Sequence, residues 1–288
     1  MSPILSINNV SKWFESANGK TEVLKDINLE VQKGEFVAIV GFTGSGKSTL
    51  INMIAGLSTP SKGEILLKGK PIEGPGHDRS VIFQNYSLLP WLTVSENIYL
   101  AVNEVYPSWT EAQKKDHVKS MIEMVNLSHA ADKKPSELSG GMRQRTSVAR
   151  ALSMDPEILL MDEPLGALDA LTRGNMQEEI LNIWGKDKKT ALLITNDVDE
   201  GIFMADRIIP LNPGPNATLG PVFNIDIERP RDKTKLNDND DFKKLRNELI
   251  EYLMDLGSKT NKNGDAELIL PDIQPTVIRR RGLFSKAS

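Results

Sequence analysis

The sequence predicts an α/β protein, in which a parallel sheet is covered by helices and interrupted by a helical subdomain. Three observations support this class. A short apolar run at 35–40 leads into a glycine-rich loop, and similar runs return at 158–161 and 191–194. Such runs are typical of strands buried on both faces of a parallel sheet. From 93 to about 150 strand patterns vanish and helical periodicity replaces them, which predicts a helical subdomain inserted at about 86–155.

The elements on either side of the glycine-rich loop follow from the same patterns. Apolar and polar residues alternate through residues 4–31, which predicts short strands of an antiparallel β subdomain. After the loop, a helix is expected from Lys47 to about Leu57, because its apolar residues recur at helical spacing. Further strands are expected at 65–67 and 81–83.

The last third of the chain is expected to add a helix at 171–184, an edge strand at 222–227 and a C-terminal extension at 226–288. The extension has one amphipathic helix, because four apolar residues share a face: Phe242, Leu245, Leu249 and Leu253. Residues 259–288 are expected to form a mobile tail. Its three arginines at 279–281 are suited to anionic lipid or an acidic partner, but a solvated tail is the favoured interpretation.

The composition excludes several classes of protein. The 288 residues include no Cys, which rules out disulfide frameworks, thiolate metal sites and thiol nucleophiles. There are 35 Lys and Arg against 39 Asp and Glu, so the chain has no overall basic field and nucleic acid is not an expected partner. No stretch approaches the ~18 uninterrupted apolar residues of a membrane-spanning helix, so any membrane role is expected to be peripheral.

The glycine-rich loop reads Gly-Phe-Thr-Gly-Ser-Gly-Lys-Ser at 41–48, the pattern of a phosphate-binding loop. Its glycines let the backbone fold around a polyphosphate, so that N–H groups and a helix N-terminus face the negative charge. Lys47 is expected to reach the β- and γ-phosphates of ATP, and the Ser48 hydroxyl to ligate Mg²⁺. Because a buried strand precedes the loop and a helix follows it, the predicted core is that of a P-loop NTPase with a RecA-like sheet.

A carboxylate for the metal is expected at the end of another buried strand, and Asp162 and Glu163 directly follow the apolar run at 158–161. Asp162 is placed to hold Mg²⁺, directly or through water, and Glu163 to polarise the attacking water. Acidic pairs are common after strands, so this pair is strong evidence only together with the phosphate loop.

A third motif, Leu-Ser-Gly-Gly-Met-Arg-Gln-Arg at 138–145, precedes the carboxylate pair. Its serine and glycines are suited to cap a helix and leave N–H groups free for an anion. With this motif, the chain from about residue 4 to 225 resembles the ATPase subunit of an ATP-binding-cassette (ABC) transporter, so 1–225 is interpreted as its nucleotide-binding domain. The resemblance implies that ATP held by a facing subunit is contacted in trans by Ser139, Gly140, Gly141 and Gln144.

The resemblance also implies roles for single residues. Gln84, at the end of the 81–83 strand, would join the metal site to the helical subdomain. Asp169 would lie in the loop through which two subunits sense each other. Either Phe14 or its neighbour would stack on adenine. The residues expected to bind the nucleotide are then Phe14, Gly41, Phe42, Thr43, Gly44, Ser45, Gly46, Lys47, Ser48 and Thr49, with Trp13 as the alternative ring. The residues expected to hold the metal are Ser48, Gln84 and Asp162. The residues expected to act in catalysis are Glu163, Gln84 and Asn196.

One position departs from the family pattern. The strand after the carboxylate pair normally ends in a His that contacts the γ-phosphate, but this chain reads Leu-Ile-Thr-Asn-Asp at 193–197. Asn196 can donate a hydrogen bond, yet it cannot become cationic or shuttle a proton. We therefore expect a slow or unusual site, paired with a different ATPase subunit that keeps the His.

An ATPase of this family must also grip a membrane-embedded permease. The segment Tyr-Ser-Leu-Leu-Pro-Trp-Leu-Thr at 86–93 places apolar side chains at an expected surface; packing beneath the helical subdomain is the alternative. We expect Leu88, Leu89 and Trp91 to contact a cytoplasmic helix of the permease, which places the chain peripherally on the cytoplasmic face of the inner membrane.

The solute is implied by resemblance alone. The stretches at 88–94 and 195–201 resemble those of importers of nitrate, bicarbonate, cyanate, taurine and sulfonates, and most of all the smaller ATPase of cyanobacterial nitrate and bicarbonate systems. Nitrate is the expected solute, with an external solute-binding protein as an indirect partner; bicarbonate, cyanate or a sulfonate are alternatives. Two other classes stay open: a soluble non-transport cassette ATPase, and a regulatory subunit that binds ATP with a weakly active site.

Overall fold

The computed structural model describes residues 2–16 and 19–261, without the side chains of Ser16, Asp187 and 258–261. Most of the predicted tail, including the arginines at 279–281, lies outside the described residues. In the described part, the chain forms these strands: β1 (Leu5–Ser16), β2 (Gly19–Val31), β3 (Phe36–Gly41), β4 (Lys62–Leu67), β5 (Lys70–Pro71), β6 (Arg79–Phe83), β7 (Ile158–Asp162), β8 (Thr190–Thr195), β9 (Arg207–Leu211) and β10 (Phe223–Asn224). Its α-helices are α1 (Lys47–Ile54), α2 (Val94–Val105), α3 (Glu111–Met124), α4 (Gly140–Leu152), α5 (Ala170–Asp187), α6 (Val198–Met204), α7 (Lys233–Leu236) and α8 (Asp240–Asn261).

The larger sheet has the strand order β10-β9-β3-β8-β7-β6. Its neighbours are parallel except β10, which runs antiparallel to β9. The register places Val40 beside Thr195, and Asp162 beside Ile194. β3, β8 and β7 therefore end at the same edge of the sheet, so the segments that follow them meet there. This arrangement confirms the predicted α/β class.

The smaller sheet has the order β2-β1-β4-β5 and is antiparallel throughout, as predicted for the β subdomain. Its apolar side chains and those of α1 pack in one core against one face of the larger sheet. On the opposite face, α5, α6 and α8 cover a second core. Because both faces of the larger sheet are covered, β3 and β8 are buried along their whole length.

The helical subdomain lies in the chain between β6 and β7. Its helices α2, α3 and α4 share a third core. Both α2 and α3 begin with a capping box, formed by Thr93 with Glu96 and by Thr110 with Gln113. The boundaries proposed for this subdomain, 86–155, and for the nucleotide-binding domain, 1–225, stay predictions.

The C-terminal extension packs against the rest of the chain. Phe242, Leu249 and Leu253 of α8 are buried in the second core, which agrees with the predicted amphipathic face. No helix in residues 2–16 and 19–261 has the length and apolar character needed to cross a membrane.

Three details differ from the sequence prediction. α1 ends at Ile54 and not near Leu57, because Gly56 takes a φ of +75° and its Cα packs against the backbone of Gly74. The edge strand expected at 222–227 pairs with β9 only at Phe223 and Asn224. The sequence prediction also lacks β9 and α6, which complete the larger sheet and the turn after β8.

Candidate functional site

The candidate site is centred on the loop that leads from β3 into α1. A Cβ on Gly41 would lie 2.7 Å from the Leu211 carbonyl oxygen of β9, so the loop leaves β3 where only glycine fits. Gly46 has a φ of +98°, and a Cβ there would lie 2.9 Å from Val23 Cγ1 of β2. Glycine is therefore required at Gly46 both for the backbone conformation and for space. β2 and β9 together fix the position of the loop.

The other loop residues differ in exposure. Thr43 and Gly44 are exposed, Phe42 is buried, and Thr49 is half-buried on α1. The hydroxyl oxygen of Ser45 is buried and has no hydrogen-bond partner among the described residues, and it lies close to Gly41. A buried hydroxyl that lacks a partner in a loop of this sequence fits a role in binding phosphate oxygens.

The Lys47 ammonium group is turned into the protein. Its Nζ donates to the carbonyl oxygens of Gly41 at 3.1 Å and Phe42 at 2.8 Å, and to Asn196 Oδ1 at 2.7 Å. Burial lowers the pKa of Lys47, while the charges of Glu163 and Asp162 act in the opposite direction. The cation is thus held at the sheet edge by acceptors that phosphate oxygens can replace.

Ser48 and Asp162 form the oxygen pair expected of a metal site. Ser48 Oγ donates to Asp162 Oδ1 at 3.1 Å, which joins the start of α1 to the end of β7. Burial raises the pKa of Asp162, and the hydrogen bond from Ser48 opposes that rise. Hydroxyl and carboxylate oxygens are ligands that Mg²⁺ prefers, so the pair fits this ion.

Glu163 and Asn196 are in direct contact. Asn196 Nδ2 donates to Glu163 Oε1 at 2.8 Å, and Lys47 Nζ lies 3.7 Å from the same oxygen. Glu163 has a φ of +45°, a conformation that costs energy for a residue with a side chain. Its N–H donates to the carbonyl of Ile194 in β8. The backbone turn after β7 therefore directs the carboxylate toward the residue that follows β8.

Gln84 lies beside these groups but is hydrogen-bonded to none of them in the described residues. It follows β6, is exposed, and lines a cavity of about 190 Å³. The cavity is also lined by Glu163, Leu165, Gly166, Arg173, Thr195, Asn196, Asp197 and Glu200. The predicted catalytic residues therefore share one polar cavity.

The two neighbouring aromatic residues near the end of β1, Trp13 and Phe14, differ in exposure and in their contacts. Phe14 is 49% exposed, with Lys12 Nζ 5.0 Å from its ring centroid. The Trp13 ring is half-buried and has Lys20 Nζ at 3.7 Å from its centroid. A ring that already stacks closely with a cation has less surface free for a base, which favours Phe14 for adenine.

The Ser-Gly-Gly segment begins α4 as predicted. Ser139 is exposed and caps the helix, its Oγ accepting from the Met142 N–H at 3.3 Å. A Cβ on Gly141 would lie 2.8 Å from Thr172 Cγ2, so this segment packs against the start of α5. Ser139 is exposed and the glycines after it are half-buried, so the start of α4 is accessible to an anion of another chain.

Gln144 differs from the expectation. It is fully buried within α4, and both atoms of its amide group lack hydrogen-bond partners in the described residues. A side chain with no exposed surface cannot contact ATP of a facing subunit in this conformation, so the assignment of Gln144 to the trans-acting group is corrected. The helical period explains the difference, because Gln144 faces inward while Ser139 lies at the exposed end.

Asp169 and the predicted permease segment are both at the surface. Asp169 is exposed and caps α5, and the hydrogen bond from the Thr172 N–H lowers its pKa. Trp91 is 65% exposed, whereas Leu88 and Leu89 are half-buried. Trp91 alone of these three projects mainly into solvent.

The segment before α2 is held in place by residues that the sequence analysis missed. Buried Asn97 accepts from the Leu89 N–H at 2.8 Å and donates to three carbonyls of the segment. Arg150 of α4 donates to the carbonyls of Ser87 and Tyr86. A lone polar residue within an apolar helix face, as at Asn97, is the sequence signal that could have found this anchor.

Comparison with known proteins shows which family this chain resembles. The model of the family described as ABC transporter matches residues 24–166. The bicarbonate transport ATP-binding protein CmpD of Synechococcus elongatus is 48% identical over 251 residues, which cover 87% of this chain and 90% of CmpD. The nitrate import ATP-binding protein NrtD of the same organism is 46% identical over 244 residues, covering 85% of this chain and 89% of NrtD.

Two further relatives extend the comparison. The bicarbonate transport ATP-binding protein CmpC of Synechocystis sp. is 50% identical over 254 residues, which are 88% of this chain but 38% of CmpC. Among solved structures, the dimeric post-hydrolysis state of the ATP-binding cassette MJ0796, bound to ADP and Pi, has a TM-score of 0.69 at 30% identity and covers 78% of this chain and 100% of that chain. The chain therefore belongs to the ABC transporter family, among its ATP-binding proteins.

Proposed function

We propose that this chain is the ATPase subunit that powers import of a small inorganic anion by an ABC transporter. The observation that carries the proposal is a set of hydrogen bonds at one edge of the sheet. Asn196 contacts both Lys47 and Glu163, and Ser48 contacts Asp162. Together they supply what hydrolysis of a triphosphate requires: a cation for the phosphates, oxygen ligands for Mg²⁺ and a base for water.

The chain's own groups act by position and charge. Lys47 Nζ gives up its contact with Asn196 Oδ1 and binds the β- and γ-phosphate oxygens, which the loop N–H groups also face. Ser48, Asp162 and Gln84 would hold Mg²⁺, which when bound neutralises charge on the phosphates. Glu163 takes the proton of the attacking water, and the Asn196 amide orients the Glu163 carboxylate.

A second cassette is proposed to complete the site. The exposed Ser139 cap and Asp169 are available to a facing subunit, and Leu171, beside Asp169, is 77% exposed. Leu171 adds apolar area to this surface, which the second cassette is proposed to cover. Because Asn196 cannot shuttle a proton, we expect the partner to be an unequal ATPase with a His at this position; the relatives fit such a pair, since some are of similar length and others much longer.

The permease contact is proposed at Trp91, with Leu88 and Leu89 at its base. An exposed Trp on a segment that is fixed by Asn97 and Arg150 is a suitable anchor for a pocket on another protein. This contact would hold the chain on the cytoplasmic face of the inner membrane, with an external solute-binding protein as an indirect partner.

Nitrate and bicarbonate both stay in the proposal. The sequence-based preference is for nitrate, but the relatives named for bicarbonate and for nitrate are 48% and 46% identical. A difference of this size does not separate two small monoanions, whose recognition lies in other subunits.

The test is uptake into vesicles that contain the candidate permease, this chain and its companion ATPase. ATP-dependent uptake of labelled nitrate or bicarbonate is expected, and Glu163→Gln should abolish uptake while ATP binding persists. Co-purification from a detergent extract identifies the partners. A chain that binds no ATP with Mg²⁺ and its companion present, or that binds no permease, would contradict the proposal.

A regulatory subunit with a weakly active site is the second candidate, and Asn196 is the observation that favours it. In that case the purified chain would bind ATP and release phosphate no faster than Glu163→Gln. Measuring phosphate release from both proteins distinguishes this candidate from the first.

A further inference from the structure

The turn that carries Asn196 is anchored on both sides by one buried residue, Glu200. The Thr195 hydroxyl donates to the Glu200 carboxylate, and the Glu200 N–H donates to Asp197 Oδ1 at 3.0 Å. The Asp197 N–H in turn donates to Thr195 Oγ1 at 3.0 Å. Because the residues before and after Asn196 are both tied to Glu200, this anchor sets the direction of the Asn196 amide.

Glu200 is linked to the C-terminal extension through Gln177 of α5. Gln177 Nε2 donates to Glu200 Oε1 at 3.2 Å, and Lys233 Nζ of α7 donates to Gln177 Oε1 at 2.5 Å. An amide that accepts from a lysine on one side presents its N–H group on the other. Lys233 therefore fixes the orientation in which Gln177 supports a carboxylate. Glu200 and Gln177 are both buried, so water is excluded from the contact between them, whereas Lys233 is exposed at the surface.

The hydrogen-bond partners of Glu200 favour its ionised form, whereas its burial favours the protonated form. Two donors face the carboxylate, whereas a protonated carboxyl would need an acceptor for its own proton. Burial raises the pKa of Glu200 to about 7. The charged groups around this network are Asp197, which caps α6, and Asp199 on α6, Arg173 and Glu178 on α5, Lys233 on α7, and Arg246 on α8, which pairs with Asp199.

We propose that Lys233 is a positioning residue for Asn196. Acting through Gln177, Lys233 favours the ionised form of Glu200 that anchors the turn, so the C-terminal extension controls the catalytic step. The proposal rests on the function proposed above, since it concerns hydrolysis at this site. Lys233 has no hydrogen bond to a predicted nucleotide ligand in the described residues, so its loss should change turnover and leave ATP affinity unchanged.

The first test is ATP turnover of the full chain, with its companion ATPase where turnover needs one. Lys233→Met is expected to lower kcat about fivefold at neutral pH and to leave KM for ATP within about twofold. Without the nearby cation Glu200 protonates at higher pH, so the acidic limb of kcat against pH should move to higher pH. Lys235→Met is the matched control, because Lys235 is exposed on α7 like Lys233 but pairs only with Asp232 in the described residues.

A double variant distinguishes positioning from a structural role. In Glu200→Gln the acidic limb should disappear, and adding Lys233→Met should lower kcat no further. An unchanged pH profile in Lys233→Met, or a full additional loss in the double variant, would overturn the proposal. Should Lys233→Met fold poorly, Gln177→Leu breaks the same link from α5 and must give the same shift.

A second readout does not depend on hydrolysis. Titration of the ¹³C-labelled Glu200 carboxyl by NMR should give a higher pKa in Lys233→Met than in the wild type. An unchanged pKa contradicts the link from Lys233 to Glu200. If the pKa of Glu200 rises in Lys233→Met but the wild-type chain hydrolyses no ATP, only the function proposed above is contradicted.

Discussion

Asn196 Oδ1 accepts a hydrogen bond from Lys47 Nζ at 2.7 Å. The other end of the same amide donates to Glu163 at 2.8 Å, so a neutral side chain joins the cation of the phosphate loop to the candidate base. The Asn196 amide nitrogen has two N–H groups, and only one of them donates to Glu163, so the second is available to a γ-phosphate oxygen. We expect phosphate oxygens to replace Asn196 as the acceptor of Lys47 when nucleotide binds, which would couple the phosphate loop to the candidate base.

Two substitutions of Asn196, by His and by Asp, are expected to change the rate of ATP turnover in opposite directions. Asn196→His should raise kcat by about tenfold, because an imidazole can carry a proton and an amide cannot. Asn196→Asp has the same shape but places an acceptor and a second charge against Glu163, so kcat should fall at least about tenfold. Phosphate release by the purified proteins measures both. Equal, brisk rates in the wild type and Asn196→His would remove the idea of a slow site.

Gly46→Ala is expected to destabilise the protein by about 1–3 kcal/mol and to weaken ATP binding at least about tenfold. The new Cβ would combine a φ of +98° with a 2.9 Å contact to Val23. Gly44→Ala is the control, because Gly44 has a φ of +81° but open space around it. Urea unfolding and ATP titration compare the two. If both variants lose the same stability, the contact with β2 does not restrain the loop.

The residues that meet at the candidate site could be predicted to lie at one edge of the sheet, because each belongs to a local sequence pattern. The loop at 41–48, the pair Asp162 and Glu163, and Ser139 each follow or precede an element that the apolar pattern reveals. Parallel pairing then brings the strand ends together without further information. Gln144 was assigned wrongly because a motif does not say which face of α4 is covered.

The elements that were missed depend on contacts distant in sequence. β9 contains Pro210, which argues against a strand inside a sheet. The Pro210 carbonyl accepts from the Gly220 N–H, away from β3, so the missing N–H falls outside the β3 ladder. Glu200 was missed for the same reason, because Gln177 of α5 donates to it and Lys233 of α7 donates to Gln177. The Asp-x-x-Glu spacing of Asp197 and Glu200, typical of a helix start, was the available signal.

Trp91→Ala is expected to leave the free energy of unfolding within about 0.5 kcal/mol of the wild type, because the side chain is 65% exposed. The same change should reduce co-purification with the permease at least about tenfold. Leu100→Ala is the matched control, since Leu100 is 51% exposed on α2 but outside the proposed contact. Full recovery of the permease with Trp91→Ala would place the docking surface elsewhere.

Glu200→Gln is expected to remove a pH dependence of stability. Burial raises the pKa of Glu200 from its ordinary value of 4.5 to about 7 in the folded state. Between these values the folded chain holds a proton that the unfolded chain has lost. The stability contributed by this carboxyl is thus fully present below pH 4.5 and is lost as the pH rises through 7. The wild type should lose about 3 kcal/mol of unfolding free energy over this pH range. Glu200→Gln lacks the titrating carboxyl, so its free energy of unfolding relative to that of the wild type should rise by the same amount. Urea unfolding of both proteins between about pH 4.5 and pH 8 measures the difference, and a constant difference would contradict a buried acid that titrates near neutrality.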